Sequence, residues 1–309
     1  MSGYHLPIMR DKVSEGLALK DGGVYFDGTA GGGGHSRAIL SGGEHIRLIA
    51  TDKDLEAIAE ADRQLKEFSP RYTLYHSDFK NFEEVFAEAG IEKIDGFLLD
   101  LGISSHQIDD EKRGFAYRLK DAPLDMRMDQ SKPFSAKEVV NTYSEERLRF
   151  LFRTYGEEKF AGAIARNIVR FREKKPVETC GELEKLVTDG IPVRLRTPAS
   201  ARKCFQAIRI EVNGELTGLG ECIKGLVKRL KIGGRGCVLT FHSLEDRIVK
   251  QTFKELSEGC NCPKQFPVCV CGRKAQVKEI GRFTADESEI KENSRSKSAK
   301  LRVVEKIAE

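Results

Sequence analysis

The sequence predicts an α/β fold: a doubly wound, mainly parallel sheet with an inserted all-α domain. Three observations support this prediction. Strand-like and helix-like stretches alternate through the first third of the chain, which is the pattern of parallel βαβ units. The alternation stops near residue 105 and gives way to consecutive helical patterns. Strand-like stretches then return after residue 236, so the helical domain occupies a loop of the sheet.

The individual elements follow from residue type and spacing. In the first third, we predict strands at 24–26, 46–51, 73–76 and 94–99, separated by helices at 34–41, 54–67 and 81–89. In the remainder, we predict helices at 136–141, 145–155, 157–172, 180–189 and 199–211, then strands at 236–241, 276–280 and 301–304. Ligands of such sheets bind at the carboxyl ends of the strands.

The predicted domains differ in charge. Residues 1–108 and 213–309 are expected to form one discontinuous sheet domain, and residues 109–212 the inserted helical domain, which would recognise the substrate. Residues 147–210 carry 15 Lys/Arg and 7 Asp/Glu, an excess of +8 in a chain whose net charge is +4. This excess favours a polyanionic partner. A solvated helical surface is the alternative explanation.

The composition of the chain indicates where in the cell the protein is expected. The chain has 309 residues, of which 39% are hydrophobic and 32% charged, as in globular proteins. No apolar run approaches the length of a membrane span, and the amino-terminal residues lack a signal-peptide core. Eight cysteines without such a signal indicate reduced thiols. We therefore expect a cytoplasmic protein without a membrane partner, and the sequence leaves monomer and homodimer both open.

A glycine-rich loop, DGTAGGGGHS, runs from Asp27 at the end of the first predicted strand to Ser36. Glycines allow backbone N–H groups to approach a ligand closely. The Gly-Lys-Ser/Thr ending of a phosphate loop is absent, and a carboxylate at Asp27 would repel a pyrophosphate. The same carboxylate suits an ammonium group. S-adenosylmethionine (SAM) carries an ammonium and a sulfonium, so Asp27, Gly31, Gly33 and Gly34 are candidate SAM-binding residues.

Acidic or aromatic residues also follow the later strands. Asp52 comes 25 residues after Asp27, where a carboxylate accepts hydrogen bonds from ribose hydroxyls. After the third strand, Asp78 is placed to meet the adenine amine and Phe79 to stack on adenine. Asp100 follows the fourth strand. A single Asp at a strand end is a common turn residue, but the whole series behind a glycine loop favours a nucleoside ligand.

Asp100 is the candidate catalytic residue. Methyl transfer is an in-line displacement that depends mainly on positioning the nucleophile. An acceptor that bonds the protons of an exocyclic amine helps to localise its lone pair and later to take a proton. Amino-methyltransferases usually carry Asp/Asn-Pro-Pro-Tyr at this point, whereas Asp100-Leu101-Gly102-Ile103 keeps only the acid. Because of this difference, the amine-binding role of the Asp/Asn-Pro-Pro-Tyr motif cannot simply be assigned to this segment.

Specific sequence blocks run from near the amino terminus to the end of the chain: DGTAGGGGHS, LLDLGISSHQIDD, RGFAYR, PLDMRMD, TYGEEKFAGAIARNIV, FQAIRIEVNGEL, GGRGCVLTFHSLEDRIVK and NSRSKSAKLRVVEK. In these blocks the chain resembles the RsmH (MraW) family of ribosomal small-subunit RNA methyltransferases. The resemblance implies a Rossmann-like, class I SAM-dependent methyltransferase that modifies N4 of a cytidine in the decoding region of 16S rRNA within the small subunit.

The resemblance also assigns SAM contacts by position. The positions that match the family's SAM contacts are Gly33, Gly34, His35, Asp52, Phe79, Asp100 and Gln107. Without the resemblance, His35 would be interpreted as a polar residue at a helix start and Gln107 as an ordinary loop residue.

Two further segments have both a functional and a structural interpretation. His242 and Ser243 follow the strand predicted at 236–241, so both are candidates to line a cytosine pocket, and His242 is a candidate catalytic residue. Alternatively, a helix begins at Ser243, with Glu245 and Asp246 favouring its amino terminus. Arg127, in PLDMRMD, would contact a flipped base or seal the pocket, or belong to a packed loop.

A cysteine cluster precedes the last strands. Cys260, Cys262, Cys269 and Cys271 offer four thiolates with the count of a structural zinc site. However, Cys-x-Cys is a less usual ligand spacing than Cys-x-x-Cys. We therefore expect a loop without metal, with structural zinc as the alternative.

RNA contact is expected from basic side chains, which would bind phosphates in a salt-dependent way. The candidates are Arg166, Arg170, Arg172, Lys174, Lys175, Arg194, Arg196, Arg202 and Lys203, with Arg295, Lys297, Lys300 and Arg302 near the carboxyl terminus.

Three functions remain open at this stage. The first is an rRNA cytosine-N4 methyltransferase. The second is a SAM-dependent amino-methyltransferase acting on another nucleic acid or on protein. The third is a non-catalytic assembly factor that binds rRNA and holds SAM as a structural ligand.

Overall fold

A computed structural model describes residues 7–259 and 274–309. The chain forms two compact units. The sheet unit consists of residues 7–102 and Gly218–Glu309, and the helical unit of Ile103–Thr217. The predicted cysteine cluster at residues 260–271 lies outside the described residues.

Within the described residues, the sheet unit contains seven strands in the order β3-β2-β1-β4-β5-β7-β6. β1 to β5 are parallel, and β7 runs antiparallel to both of its neighbours. Strand order reverses between β1 and β4, which is where open α/β sheets bind ligands. The predicted α/β class is thereby confirmed. The strands are β1 Val24–Asp27, β2 Arg47–Asp52, β3 Tyr72–His76, β4 Ile94–Asp100, β5 Leu230–Thr240, β6 Val277–Thr284 and β7 Lys300–Lys306.

Helices complete both units. In chain order they are α1 Arg10–Leu17, α2 Gly34–Leu40, α3 Leu55–Leu65, α4 Phe82–Ala89, α5 Ser105–Asp109, α6 Ala136–Thr142, α7 Glu145–Thr154, α8 Ala161–Arg172, α9 Cys180–Asp189, α10 Pro198–Asn213, α11 Leu219–Arg229, α12 Ser243–Ser257 and α13 Glu287–Glu292.

The sheet is covered on both faces, as its near-continuous apolar strands require. On one face, α1, α2 and α3 bury residues such as Leu17 and Ile39 against the sheet. On the other, α4, α11 and α12 contribute a core that includes Phe86 and Phe253. This double layer fixes the strands rigidly, so their carboxyl ends are held at one edge.

The helical unit has its own core. Apolar residues at helical spacing from α6 to α10 form one buried cluster, which includes Leu148, Ile164 and Leu183. The predicted helix at 157–172 begins only at Ala161. Glu157 has a positive φ of 49°, and the side chain of Glu158 accepts a hydrogen bond from the N–H of Phe160, so these residues form the approach to the helix.

In the described parts of the chain, no helix combines the length and apolar character needed to cross a membrane.

Candidate cofactor site at the carboxyl edge of the sheet

The predicted acidic residues lie at the carboxyl edge of the sheet. Asp27, Asp52 and Asp100 are the last residues of β1, β2 and β4, respectively. The parallel register places Asp27 beside Ala50 of β2 and Leu98 of β4, so the three ends are neighbours. The alternation of strands and helices was sufficient to predict this arrangement.

The carboxylate of Asp27 is completely buried and hydrogen-bonded. Ser36 Oγ donates to Oδ2 at 2.7 Å, and the Thr29 N–H donates to Oδ1 at 3.1 Å. Burial raises the pKa of Asp27, while these hydrogen bonds lower it in part. Both oxygens therefore bond to the glycine loop itself, and Asp27 fixes the loop's shape. Its predicted contact with a SAM ammonium group stays a prediction.

Thr29 links two strand ends, a role that the sequence did not reveal. Its Oγ1 accepts a hydrogen bond from the backbone N–H of Asp100 at 2.7 Å. The same hydroxyl lies 3.4 Å from Asp27 Oδ1, to which it donates. One hydroxyl thus ties β1 to β4 at the point where strand order reverses. Its position two residues after the strand-terminal Asp was the only indication of this role in the sequence, and Thr is too common in such turns for that position to be informative.

Three glycines of the loop have different structural roles. The N–H of Gly31 donates to Asp52 Oδ2 at 2.8 Å, which connects the loop to the end of β2. Gly33, the residue that caps the start of α2, has a φ of 84°, and a Cβ there would lie 3.1 Å from Ala61 Cα. Gly34, the first residue of α2, lies against Pro7. The loop therefore needs glycine at position 33 for both backbone conformation and space.

Asp52 is half-buried at the end of β2. Its second oxygen accepts a hydrogen bond from the Asp54 N–H at 2.9 Å. Burial raises the pKa of Asp52 to about 6, although the bonds from Gly31 and Asp54 act in the opposite direction. Because each carboxylate oxygen has two lone pairs, acceptor capacity remains for the ribose hydroxyls that the sequence predicted.

Phe79 lies next to the loop because Gly28 has no side chain to exclude it. A Cβ on Gly28 would lie 2.8 Å from Phe79 Cβ and 2.5 Å from Leu99 Cδ2, so only glycine permits this approach. Asp78 does not present a free carboxylate: it forms an ion pair with Lys53 at 2.8 Å. The half-buried Phe79 ring is therefore better placed for the predicted adenine contact than its neighbour.

Asp100 and His35 are close but not hydrogen-bonded. His35 Nε2 lies 3.6 Å from Asp100 Oδ2. Among the described residues, both His35 ring nitrogens and Asp100 Oδ1 are buried without a hydrogen-bond partner. Burial lowers the pKa of His35 to about 4, with Arg10 adding to the effect. Burial raises the pKa of Asp100 to about 8, and the carboxylates of Asp27 and Glu245 add to the shift.

His242 caps α12, as the structural interpretation of this segment predicted. Its Nδ1 accepts a hydrogen bond from the Glu245 N–H at 3.4 Å, and the Glu245 carboxylate accepts from the backbone N–H of Phe241 at 3.0 Å and of His242. His242 Nε2 lies 3.0 Å from Glu245 Oε1. The parallel pairing of β4 and β5 places His242 at the same sheet edge as Asp100. Its catalytic role stays a prediction.

Gln107 and Arg127 belong to the helical unit. Gln107 lies in α5 and forms a capping box with Ser104, which explains its burial at 6% exposure. Arg127 forms a bidentate ion pair with Asp125 and donates to the carbonyl oxygens of Gln130 and Lys132. The guanidinium is fully engaged within its own loop, as the packed-loop interpretation expects.

The predicted RNA-contacting cations fall into two groups. Several have structural partners: Arg172 donates to the Val140 and Tyr143 carbonyls, and Lys300 and Arg302 pair with Asp246. By contrast, Arg170 and Lys174 line a cleft of about 460 Å³ between α8 and α9. Among the described residues, the side chains without a hydrogen bond or ion pair include Arg170, Lys174, Arg194 and Arg202.

The residues at the sheet edge fit SAM. A sulfonium and an ammonium group are cations, and Asp100 Oδ1 is a buried acceptor that lacks a partner. The glycine loop permits close approach of a ligand beside it. A cationic nucleoside such as SAM would therefore supply the partner that the buried Asp100 oxygen lacks.

Comparisons with known proteins give the family. The profile of the MraW methylase family matches residues 2–307. Ribosomal RNA small subunit methyltransferase H 2 of Agathobacter rectalis is 47% identical over 99% of both chains. Ribosomal RNA small subunit methyltransferase H of Geobacter sp. strain M21 is 48% identical over 98% of this chain and 99% of that protein.

Solved structures align with this chain only at low scores and low sequence identity. A putative rRNA methylase from Clostridium thermocellum aligns with a TM-score of 0.45 at 12% identity, covering 98% of this chain and 100% of that chain. The putative methyltransferase SMU.1697c from Streptococcus mutans, in complex with SAH, gives 0.43 at 10% identity with the same coverage. The family match alone makes this protein a SAM-dependent methyltransferase. On the strength of that match over residues 2–307, the chain belongs to the MraW methylase family.

Proposed function

We propose that this protein methylates the N4 amine of a cytidine in the decoding region of 16S rRNA, as a cytoplasmic enzyme acting on the small ribosomal subunit. The observation that carries the proposal is the buried, unpartnered carboxyl oxygen of Asp100 at the point where strand order reverses. The names of relatives at 47–48% identity support the rRNA substrate.

Different residues at the sheet edge contact different parts of SAM. Asp52 accepts hydrogen bonds from the ribose hydroxyls, and Phe79 packs on the adenine. Gly33 and Gly34 provide close backbone approach, while Gly31 is held by Asp52. Gln107 and His35 are proposed as further contacts from the family resemblance. When bound, SAM supplies a methyl group activated by the sulfonium.

The chemical step is a displacement at the methyl carbon. The N4 lone pair forms the new N–C bond as the S–C bond breaks, and one N4 proton passes to the Asp100 carboxylate. Asp100 accepts a hydrogen bond from the amine and so favours a localised lone pair. Thr29 contributes by fixing the backbone of Asp100. The helical unit is proposed to recognise the RNA, because its residues 147–210 hold the chain's basic excess.

The experiment is methyl incorporation from labelled SAM into free 16S RNA and into intact small subunits, followed by nuclease mapping. Asp100→Ala should lower turnover, and Asp52→Ala should weaken SAM binding. Asp121→Asn, a change at an exposed acid of the helical unit, is the matched control. An unchanged rate in Asp100→Ala would remove the proposed role of Asp100.

The same experiment separates the two alternatives. Tight SAM binding without incorporation into RNA would support a non-catalytic rRNA-binding assembly factor. Incorporation into protein or into another nucleic acid would support a different amino-methyltransferase. Labelling of one cytidine in free RNA or in subunits supports the proposal and identifies the substrate form.

A further inference from the structure

The outer face of α7 combines an exposed aromatic ring with three arginines. Phe150 is 50% exposed, although a phenylalanine is usually buried. Arg147, Arg149 and Arg153 are exposed on the same helix. The inner face of α7 is apolar and fully packed in the core of the helical unit, so the helix needs no exposed aromatic residue for its stability.

The exposed ring belongs to an ordered aromatic group. The Arg147 guanidinium lies 5.7 Å from the ring centre of Phe150 and 5.5 Å from that of Tyr143. Tyr155 meets Phe150 edge-on at 6.4 Å. Arg147 is fixed in turn by an ion pair with Glu211 at 2.8 Å. The ring of Phe150 is therefore oriented before any ligand arrives, which lowers the entropic cost of stacking.

Two further arginines beside this ring lack a close acidic partner. The side chains of Arg149 and Arg153 make no hydrogen bond or ion pair with any residue that the structure describes, although Arg149 interacts electrostatically with Glu146 on the same helix. They flank Phe150 in sequence, and α7 turns them to the same exposed side. A flat ring next to unpaired guanidinium groups matches the two chemical features of a single strand, its base faces and its phosphates.

We propose that the outer face of α7 binds single-stranded RNA, with one base stacked on Phe150 and adjacent phosphates bound by Arg149 and Arg153. The inference rests on the proposed RNA substrate and specifies where the helical unit holds an unpaired strand. Phosphate charge complements the arginines, and a base adds a π-face for the exposed ring. An apolar protein partner would leave the two guanidinium groups without partners, so the observations favour RNA.

The test uses the full chain and a single-stranded oligoribonucleotide that carries 2-aminopurine. Phe150→Ala should weaken binding roughly 5- to 150-fold and reduce the stacking-induced fluorescence change, with an unchanged salt slope. Phe150→Trp should restore both signals. The double variant Arg149→Gln/Arg153→Gln should reduce the salt slope by about 1.4, at about 0.7 per phosphate contact. Phe283→Ala, at a 39% exposed ring in β6, is the control.

Each outcome has a defined meaning. Equal affinities for Phe150→Ala and Phe283→Ala would overturn the inference. So would a Phe150→Ala variant that binds protein-free RNA normally and assembled subunits poorly, because that result assigns the face to a ribosomal protein. Methylation of 16S RNA by the wild type is measured in parallel. If that activity is absent while Phe150→Ala loses oligonucleotide binding, the proposed function fails and the RNA-binding face stands.

Discussion

Asp100 occupies an environment that suits a cation it does not yet contact. Its side chain is 27% exposed, but Oδ1 is buried without a hydrogen-bond partner in the described part of the chain. Burial raises its pKa to about 8, so the free enzyme holds a largely protonated carboxyl at neutral pH. A bound cation stabilises the carboxylate, which couples ligand binding to proton release.

This coupling predicts a pH-dependent affinity for SAM. Below the raised pKa of about 8, the proton must leave before the carboxylate can face the cation. Affinity should therefore rise between pH 6.5 and 8, by at most about tenfold per pH unit, and then level off. His35, whose burial holds its pKa at about 4, stays neutral over this range.

Calorimetric titration of wild type and Asp100→Asn measures the coupling. Asp100→Asn has the same shape but no titratable group, and its residual pH dependence reports titration of the ligand itself. Parallel profiles for the two proteins would contradict the predicted coupling.

Thr29 gives a second prediction at the residue scale. Thr29→Val keeps the shape but leaves the Asp100 N–H without its acceptor. We expect a loss of about 1–3 kcal/mol in the free energy of unfolding. We also expect lower turnover, because the end of β4 is then less well fixed.

Urea unfolding and the methyl-transfer assay are the measurements, with Thr29→Ser as the control. The serine keeps the hydroxyl and should retain most of both properties. If valine and serine behave alike, the hydroxyl is not the important group.

At the element scale, the turn before α2 depends on Gly33. Its φ of 84° disfavours any side chain, and a Cβ would also press on the backbone of α3 at Ala61. Gly33→Ala should displace α2 relative to α3 and weaken SAM binding by tenfold or more, on the order of 1.4 kcal/mol.

Gly90 provides the comparison for this change. It ends α4 with a φ of 66°, but a Cβ there would meet nothing within 4 Å. Gly90→Ala should carry only the backbone strain, about 1–2 kcal/mol, and bind SAM normally. A Gly33→Ala variant with the SAM affinity of Gly90→Ala would show that crowding against α3 is unimportant.

The elements that sequence predicted well are those with a strong local pattern. β1 to β4 and α9 lie within about one residue of their predicted bounds. By contrast, α11 and the first half of β5 were missed because both contain glycines, which suggest turns. In the structure, a Cβ on Gly225 of α11 would meet Phe82 Cζ at 2.6 Å. That glycine makes room for a ring distant in sequence, and no local pattern reveals this.

At the scale of the molecule, the unequal distribution of charge predicts salt-dependent RNA binding. Arg170 and Lys174 line the cleft between α8 and α9, and their side chains make no hydrogen bond or ion pair among the described residues. Arg170→Gln/Lys174→Gln should weaken RNA binding and lower the salt slope by about 1.4 to 1.8.

Filter binding across a series of KCl concentrations measures this slope. The control variant Arg47→Gln/Lys66→Gln removes one arginine and one lysine that are exposed on the sheet unit. Its net charge therefore equals that of Arg170→Gln/Lys174→Gln. Equal slopes for the two double variants would indicate a general effect of net charge and not a contact in the cleft.

The candidate site was predictable where it depends on strand order and less so where it depends on hydrogen bonds. The positions of Asp52 and Asp100 followed from the alternation of strands and helices. The bonds that occupy Asp27 did not, because they need the three-dimensional path of the loop from Thr29 to Ser36. His242 shows the same limit, since one motif is compatible with both a helix cap and a pocket residue.

The position of β7 has a consequence for the order in which the protein is made. β7 is the last strand in the chain, yet it lies between β5 and β6 and pairs with both. During synthesis, β5 and β6 leave the ribosome before the strand that joins them. Until β7 follows, the edge of β5 is unpaired and β6 has no neighbour in the sheet, which exposes two strands to mispairing with other nascent chains.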